Sequence, residues 1–353
     1  WVSKALYSCF TKNVSLSKIA TTFRGLQPGN VDFIKEWYEV DFNNVALNNK
    51  DELTWKLITT GGEYRKWYGN LYRIVKWYKN GYEIKNNPKA IIPNEALYFK
   101  PVIGWSRITS GRLPFRYYPP NMIPGDATGS IIFNNNVKMK FELAVLNSKV
   151  INYLWPILNS NMTNSTGIVN KIPVLNPSKI SERIIENVEY LVNNNLSDSK
   201  KDWDSFETSW DFELHPLVKS NVSTISEAYN SWTKECEDRF NTLKSNEEEL
   251  NRIFIDIYGL QDELDSYVDD KDVTVRKADL VRDIKSFISY AVGCMFGRYS
   301  LDVEGLAYAG GEWDSSKYSK FIPDTDDIIP ICDEEYFEDD IVTRFIEFVR
   351  VVY

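Results

Sequence analysis

TWKLITT (54–60), YRIVKWY (72–78), GWSRITS (104–110) and PFRYYP (114–119) decide how the first half of this chain reads. Each run is short and rich in β-branched and aromatic residues. Turn signals separate them: Gly61-Gly62, Asn80-Gly81, Asn86-Asn87-Pro88 and Pro119-Pro120. Such side chains fit a pleated, half-buried surface, and Gly, Asn and Pro punctuate it. Trp55 to Phe133 is therefore expected to be mixed and strand-rich, with Asn80-Gly81 closing a hairpin. Just upstream, VDFIKEWYEV (31–40) is expected to open with a short helix.

Outward from this region the period lengthens. KMKFELAVLNSKVINYLWPIL (138–158) places Phe141, Val145, Ile151 and Leu154 on one helical stripe, with Pro156 expected to close it. IVNKIPVL (168–175) reads as a strand. A second helix is expected from Ser178, as N-cap, to about Asn193. From Val222 onward, apolar residues recur at Ile225, Tyr229, Trp232, Cys236, Phe240, Leu243, Leu250, Phe254 and Ile257. Most gaps are three or four residues, a coiled-coil-like seam on a helix roughly 50 Å long at about 1.5 Å per residue. Further helices are expected over Lys277 to Arg298 and Glu334 to Val352, the acidic cluster Asp333–Asp340 opening the last. The fold class is α+β: a strand-rich domain over 1–174, then a mainly helical region over 175–353.

Charge divides the chain at the same place. Residues 1–174 hold 22 Lys and Arg against 11 Asp and Glu, whereas 175–353 hold 19 against 39. A basic first half and an acidic second half point to a polyanionic partner for the first.

Other classes are excluded or weakened. No run approaches the length of a membrane span, and the first ten residues lack a secretory pattern. The four cysteines are scattered without metal or disulfide spacing, which favours a cytoplasmic, reducing setting. His215 is the single histidine and reads as structural, and there is neither a phosphate-binding loop nor GxGxxG. The chain does not begin with Met and ends on an apolar run, so it is expected to be part of something longer.

Residues 55–118 interleave bases and rings: Lys56, Arg65, Lys66, Trp67, Arg73, Lys76, Trp105, Arg107, Arg112 and Arg116 stand out. Lys and Arg attract phosphates, Arg pairs with guanine, and flat rings hold exposed bases. These groups are expected to form one continuous cleft for a duplex.

Five blocks in this order, TFRGLQPGNVDFIKEWYEV (22–40), GGEYRKWYGN (61–70), GWSRITSGRLPFRYYPPN (104–121), AVLNSKVINYLWPILN (144–159) and GIVNKIPV (167–174), resemble the target-recognition region of the PglX family. These are the adenine-specific DNA methyltransferases of bacteriophage-exclusion (BREX) systems. IKSFISYAVGCMFGRYSLD (284–302) and PDTDDIIPI (323–331) resemble the C-terminal part of the same family. The family's Asn-Pro-Pro-Tyr-type catalytic motif has no match: Asn87-Pro88 continues with Lys89, and Asn176-Pro177 with Ser178.

The resemblance implies double-stranded DNA as partner, with other BREX proteins possible. It also implies S-adenosylmethionine in the parent enzyme but no cofactor in this fragment. Arg24, Gln27 and Asn30 in GLQPGN and its flank become candidate DNA contacts, as do Asn164 and Thr166 before and beside Gly167. The alternatives are a protein-interaction scaffold and a specificity region from a restriction–modification enzyme.

Overall fold

The computed structural model describes residues 3–47, 53–109, 111–135, 137–175, 179–220, 222–333 and 336–353. The fold is α+β. The chain divides into two compact units: Trp1–Glu36, Asn44–Lys200 and Asn241–Val275 form the first, and Trp37–Asn43, Lys201–Phe240 and Arg276–Tyr353 the second. Contact defines these units, whereas charge defined the division at 174.

The first unit opens with α1 (Lys4–Lys12), capped by Ser3 Oγ accepting from Leu6 N–H at 2.9 Å. β1 (Val14–Ser15) follows, then β2 (Ala20–Arg24), β3 (Ile34–Glu36) and β4 (Val45–Ala46). The expected helix at 31–40 is instead β3 between two short 3-10 turns. Ile34, Lys35 and Glu36 find ladder partners in Val75, Ile74 and Arg73, and that tertiary pairing overrides the local pattern. β5 (Trp55–Ile58) and β6 (Arg73–Lys76) form as expected.

No hairpin forms at Asn80-Gly81. Lys79, Asn80 and Gly81 take left-handed angles inside α2 (Tyr78–Lys85), seating Gly81 where a Cβ would come 2.7 Å from the Trp77 ring. The turn residues do supply positive φ, but the chain turns into a helix rather than into a strand.

Next come β7 (Val102–Ser106), β8 (Phe115–Tyr118), β9 (Met122–Ile123) and β10 (Thr128–Phe133). Two larger sheets result, one in the order β2-β10-β7-β8 and one in the order β3-β6-β5-β4 with β9 parallel to β5. The helical pattern at 138–158 is two helices, α3 (Met139–Asn147) and α4 (Lys149–Leu158). The break falls at Ser148, which caps both, while Pro156 lies inside α4 rather than closing it. The stretch expected as strand at 168–175 opens as α5 (Thr166–Val169), and only Pro173–Val174 (β11) pairs, against β1. α6 (Glu182–Asp204) begins after the expected start and runs beyond Asn193; Ser178 lies outside the described residues.

In the second unit α7 (Pro216–Lys219) is capped by His215, whose Nδ1 accepts from Leu217 N–H at 3.3 Å. Burial against Phe287 and Tyr290 pushes that imidazole's pKa down to about 3, so the lone histidine is a neutral structural cap. α8 (Ile225–Tyr258) spans 34 residues with its seam buried from Trp232 to Phe254. Residues 225–240 of it belong to the second unit and 241–258 to the first.

α9 (Leu280–Met295) and α10 (Ile341–Val352) complete a core of Phe212, Trp232, Phe287, Tyr290, Tyr299 and Phe348. Gly293 allows Tyr299 to lie against α9, where a Cβ would meet its ring at 2.6 Å. α10 starts at Ile341 with Asp340 as N-cap. Asp333, Glu338 and Asp339 are therefore outside the helix, contrary to expectation, while Glu334 and Glu335 lie outside the described residues.

Candidate nucleic-acid interface

The register of the β2-β10-β7-β8 sheet collects several candidates at one end. Arg24, the last residue of β2, faces Gly129 near the start of β10, which in turn faces Trp105 near the end of β7. Segments 25–30, 107–114 and 124–127 all leave the sheet here. The first is bound down by backbone: Leu26 N–H donates to Pro124 O at 2.7 Å, and Gln27 and Ile91 exchange hydrogen bonds at 2.9 and 2.8 Å. Gly25 is required, because a Cβ there would fall on the Pro124 carbonyl.

Asp126 ties two cations to this end. Its Oδ1 accepts from Arg24 Nε at 2.9 Å and Nη2 at 2.6 Å, and from Arg107 Nη1 at 2.8 Å. The Arg24 and Arg107 side chains remain 48% and 22% exposed. One carboxylate between two guanidiniums fixes both in place and leaves the cluster with net positive charge. Gln27 and Asn30 are exposed nearby in the chain, and Asn30 caps the turn at Val31–Phe33 by accepting from Asp32 N–H at 3.1 Å. Arg112, also exposed, pairs with Asp272 beside a cleft of about 830 Å³ whose walls include Tyr64, Ile108 and Met162. Thr166 is half-buried at the start of α5 and accepts from Thr22 Oγ1 through its carbonyl at 3.4 Å.

Seven other candidates lie in the interior: Lys56, Arg65, Lys66, Trp67, Trp105, Arg116 and Asn164. Lys66 Nζ donates to Glu247, and Trp67 Nε1 donates to the same carboxylate at 2.7 Å. Arg116 is wholly buried, with Nε on Tyr118 Oη at 3.0 Å, Nη1 on Arg65 O at 3.1 Å and Nη2 on Ser106 Oγ at 3.1 Å. The Trp105 indole donates to Asn164 O at 2.9 Å. Every such bond avoids the cost of leaving a buried polar group unpaired. These seven groups present no face to a duplex.

Arg73 and Lys76 sit on β6 of the other sheet, Arg73 near the Tyr72 ring and Lys76 bonded to Glu83 at 2.8 Å. The single continuous cleft expected from sequence is thus corrected to a smaller Arg24–Asp126–Arg107 cluster, with Arg112 paired separately to Asp272 on a segment that leaves the same sheet end.

Sequence reasoning missed Asp126, Glu247 and Asp272. Glu247 did leave a signal. It fills the gap between Leu243 and Leu250 in the apolar stripe of α8, where a carboxylate calls for a buried partner. The opposite charges of the two halves are partly spent on each other within the first unit, in Lys66–Glu247, Arg112–Asp272 and Lys149–Asp265.

Asn87 does not fit an adenine-holding motif. Its Nδ2 donates to Pro28 O and its Oδ1 accepts from Lys89 N–H, each at 3.1 Å, so its amide serves its own loop. Asn176 lies outside the described residues. Among the described residues no cluster of His, Cys, Asp or Glu suits a metal ion, and no helix is long and apolar enough to cross a membrane.

No family model matches the sequence. Across its whole length the chain is related to bacterial adenine-specific methyltransferases. It is 40% identical to the adenine-specific methyltransferase PglX of Lacticaseibacillus casei (strain Zhang), a match covering 100% of this chain and 31% of that protein. It is 31% identical to the adenine-specific methyltransferase BrxX of Escherichia coli O9:H4 (strain HS), covering 100% of this chain and 30% of that protein. The chain thus spans under a third of the length of these relatives. Among solved structures, the Type IIL restriction-modification enzyme MmeI in complex with DNA is similar at a TM-score of 0.44 and 13% identity, over 78% of this chain and 36% of that one.

Proposed function

We propose that this chain, with residues 1–174 as its DNA-recognition part, selects the target sequence for a bacterial adenine N6 methyltransferase of phage defence. It binds double-stranded DNA in the cytoplasm, while S-adenosylmethionine and the methyl-transfer groups belong to other parts of the whole protein. The observation that carries this reading is the Arg24–Asp126–Arg107 cluster at one end of a four-stranded sheet, with Arg112 on the segment that leaves that end. Guanidiniums held in place lose little freedom on meeting phosphates, and exposed Gln27 and Asn30, with half-buried Thr166, add short polar groups able to reach base edges or sugar. Similarity over the whole of this chain to under a third of two adenine-specific methyltransferases supports the assignment.

The test is a fluorescence titration of the chain with duplex DNA at two salt concentrations. Binding is expected to weaken steeply with salt, by about 0.9 in log K per log salt for each phosphate neutralised. Arg24→Ala/Arg107→Ala should reduce both affinity and slope. A variant with unchanged slope and affinity rules the cluster out as the phosphate site.

A second reading, docking of another BREX component, is favoured by one observation in the second unit. Ile328, Ile331, Tyr336 and Phe337 are 55–82% exposed beside Asp324, Asp326 and Asp327. Ile331→Asp/Phe337→Asp in the whole chain should abolish such docking while leaving DNA binding intact.

A further inference from the structure

Ile108 and Met162 are 70% and 60% exposed, although the backbone that carries them is held from several directions. Ile108 bridges Thr163 in antiparallel fashion, Thr109 N–H donates to Met162 O at 3.1 Å, and Asn164 N–H donates to Arg107 O at 2.7 Å. Beneath them lies Asn164, only 1% exposed. Its Nδ2 donates to Ser106 O at 3.1 Å and Thr109 Oγ1 at 2.9 Å, and its Oδ1 accepts from Asn159 at 3.0 Å. The Trp105 indole donates to its carbonyl at 2.9 Å. Folding these two side chains inward requires breaking that buried network, so their exposure is imposed by the fold.

Both side chains line the cleft that also contains Arg112, and Arg107 adjoins Ile108 in the chain. Arg112 and Lys271, cations that can hold phosphates, line the same cleft as this apolar prong, as do the carboxylates Glu63 and Asp272. Duplex-bending proteins use this combination, inserting an apolar side chain between base pairs while basic groups keep the backbone in place. Ile, Leu and Met serve as such wedges because they fill an opened base step without competing for its hydrogen bonds.

We infer that Ile108 and Met162 form a wedge that enters the base stack of bound DNA and opens one step. The inference rests on the proposal that this chain binds duplex DNA. It assigns to these residues the distortion of the duplex, which is distinct from the phosphate attraction supplied by Arg24 and Arg107. An opened step costs less when the DNA is already interrupted, so the wedge gives the protein a preference for DNA that is easy to unstack.

The experiment uses the whole chain and two 2-aminopurine-labelled duplexes of the same sequence, one perfect and one with a two-nucleotide bulge, at low salt. The parent protein should bind the bulged duplex more tightly and raise 2-aminopurine fluorescence on the perfect one. Ile108→Ser/Met162→Ser changes only exposed side chains; unaltered circular dichroism checks that the fold is kept. It should bind the perfect duplex roughly tenfold more weakly and lose the bulge preference and the fluorescence rise. Arg24→Ala/Arg107→Ala should weaken both duplexes equally and keep the preference. If the Ser variant matches the parent in affinity, preference and fluorescence while both bind DNA, the wedge is overturned and the DNA-binding proposal stands. If the parent binds neither duplex, both fall together.

Discussion

Lys66 and Glu247, 181 positions apart in the chain, lie buried against each other, and Glu247 also accepts from the Trp67 indole at 2.7 Å. Trp67 holds a left-handed backbone angle of φ 68° to reach it. The basic segment GGEYRKWYGN is thus fastened inside the first unit by an acidic residue of α8.

Removing one partner of this pair isolates a buried charge. Glu247→Leu should destabilise the protein by about 3–5 kcal/mol, because the buried Lys66 ammonium then loses the carboxylate it donates to. Lys66→Met/Glu247→Leu should recover most of that loss. Urea unfolding followed by tryptophan fluorescence checks both, and a double variant no better than the single one contradicts the assignment.

Glu142 on α3 is buried with neither carboxyl oxygen hydrogen-bonded, and burial raises its pKa from 4.5 to about 8. The folded state therefore prefers the neutral acid, whereas the unfolded chain ionises near 4.5. Glu142 imposes no penalty below that value, and stability is lost as pH rises from about 4.5 through about 8. The slope should approach 1.4 kcal/mol per pH unit within that window. Glu142→Gln should flatten it, as read from melting temperature against pH; parallel profiles for parent and variant count against the buried-acid account.

On the proposed DNA-binding reading, Asp126 competes with phosphates for Arg24 and Arg107. Asp126→Asn keeps the shape but removes the negative charge, so duplex affinity should rise severalfold at low salt and the excess should shrink as salt is added. Titration of parent and variant at matched salt decides it, and weaker binding by the variant would mean that holding the guanidiniums in place matters more than freeing them.

Gly129 lies where any Cβ would collide with the Trp105 ring. Gly129→Ala should push Trp105 off Asn164 O and cost about 1–3 kcal/mol through overpacking. Thermal melting measures the cost, and faster hydrogen exchange in 159–165 should accompany it.

The strand-rich first half and the long seam of α8 were legible because periodicity reports burial directly. Leu57, Ile74, Val75, Ile103 and Phe115 are all inside, as their runs implied. What failed was reading Lys56, Lys66, Trp67 and Arg116 as surface. Alternating bases and rings look alike on a DNA-facing strand and on a strand whose charges meet buried acceptors. Only the fold brings Glu247 to Lys66 or Ser106 and Tyr118 to Arg116. The Asn80-Gly81 hairpin failed differently: positive φ was available, but Lys79 adopted it too and the chain closed around Trp77. Arg24 and Arg112 are exposed and Arg107 partly so; Arg24 and Arg107 meet through Asp126 at a sheet end set by strand register, which sequence spacing does not encode.

The hold that Asn164 exerts is made almost wholly of main-chain acceptors and neighbouring amides, and it leaves Asn161, Met162 and Thr163 pointing outward. Those three letters behave as an exchangeable cassette: they can be rewritten while their frame stays bolted. A library randomised at these positions should therefore vary the exposed surface while leaving the stability of the frame intact.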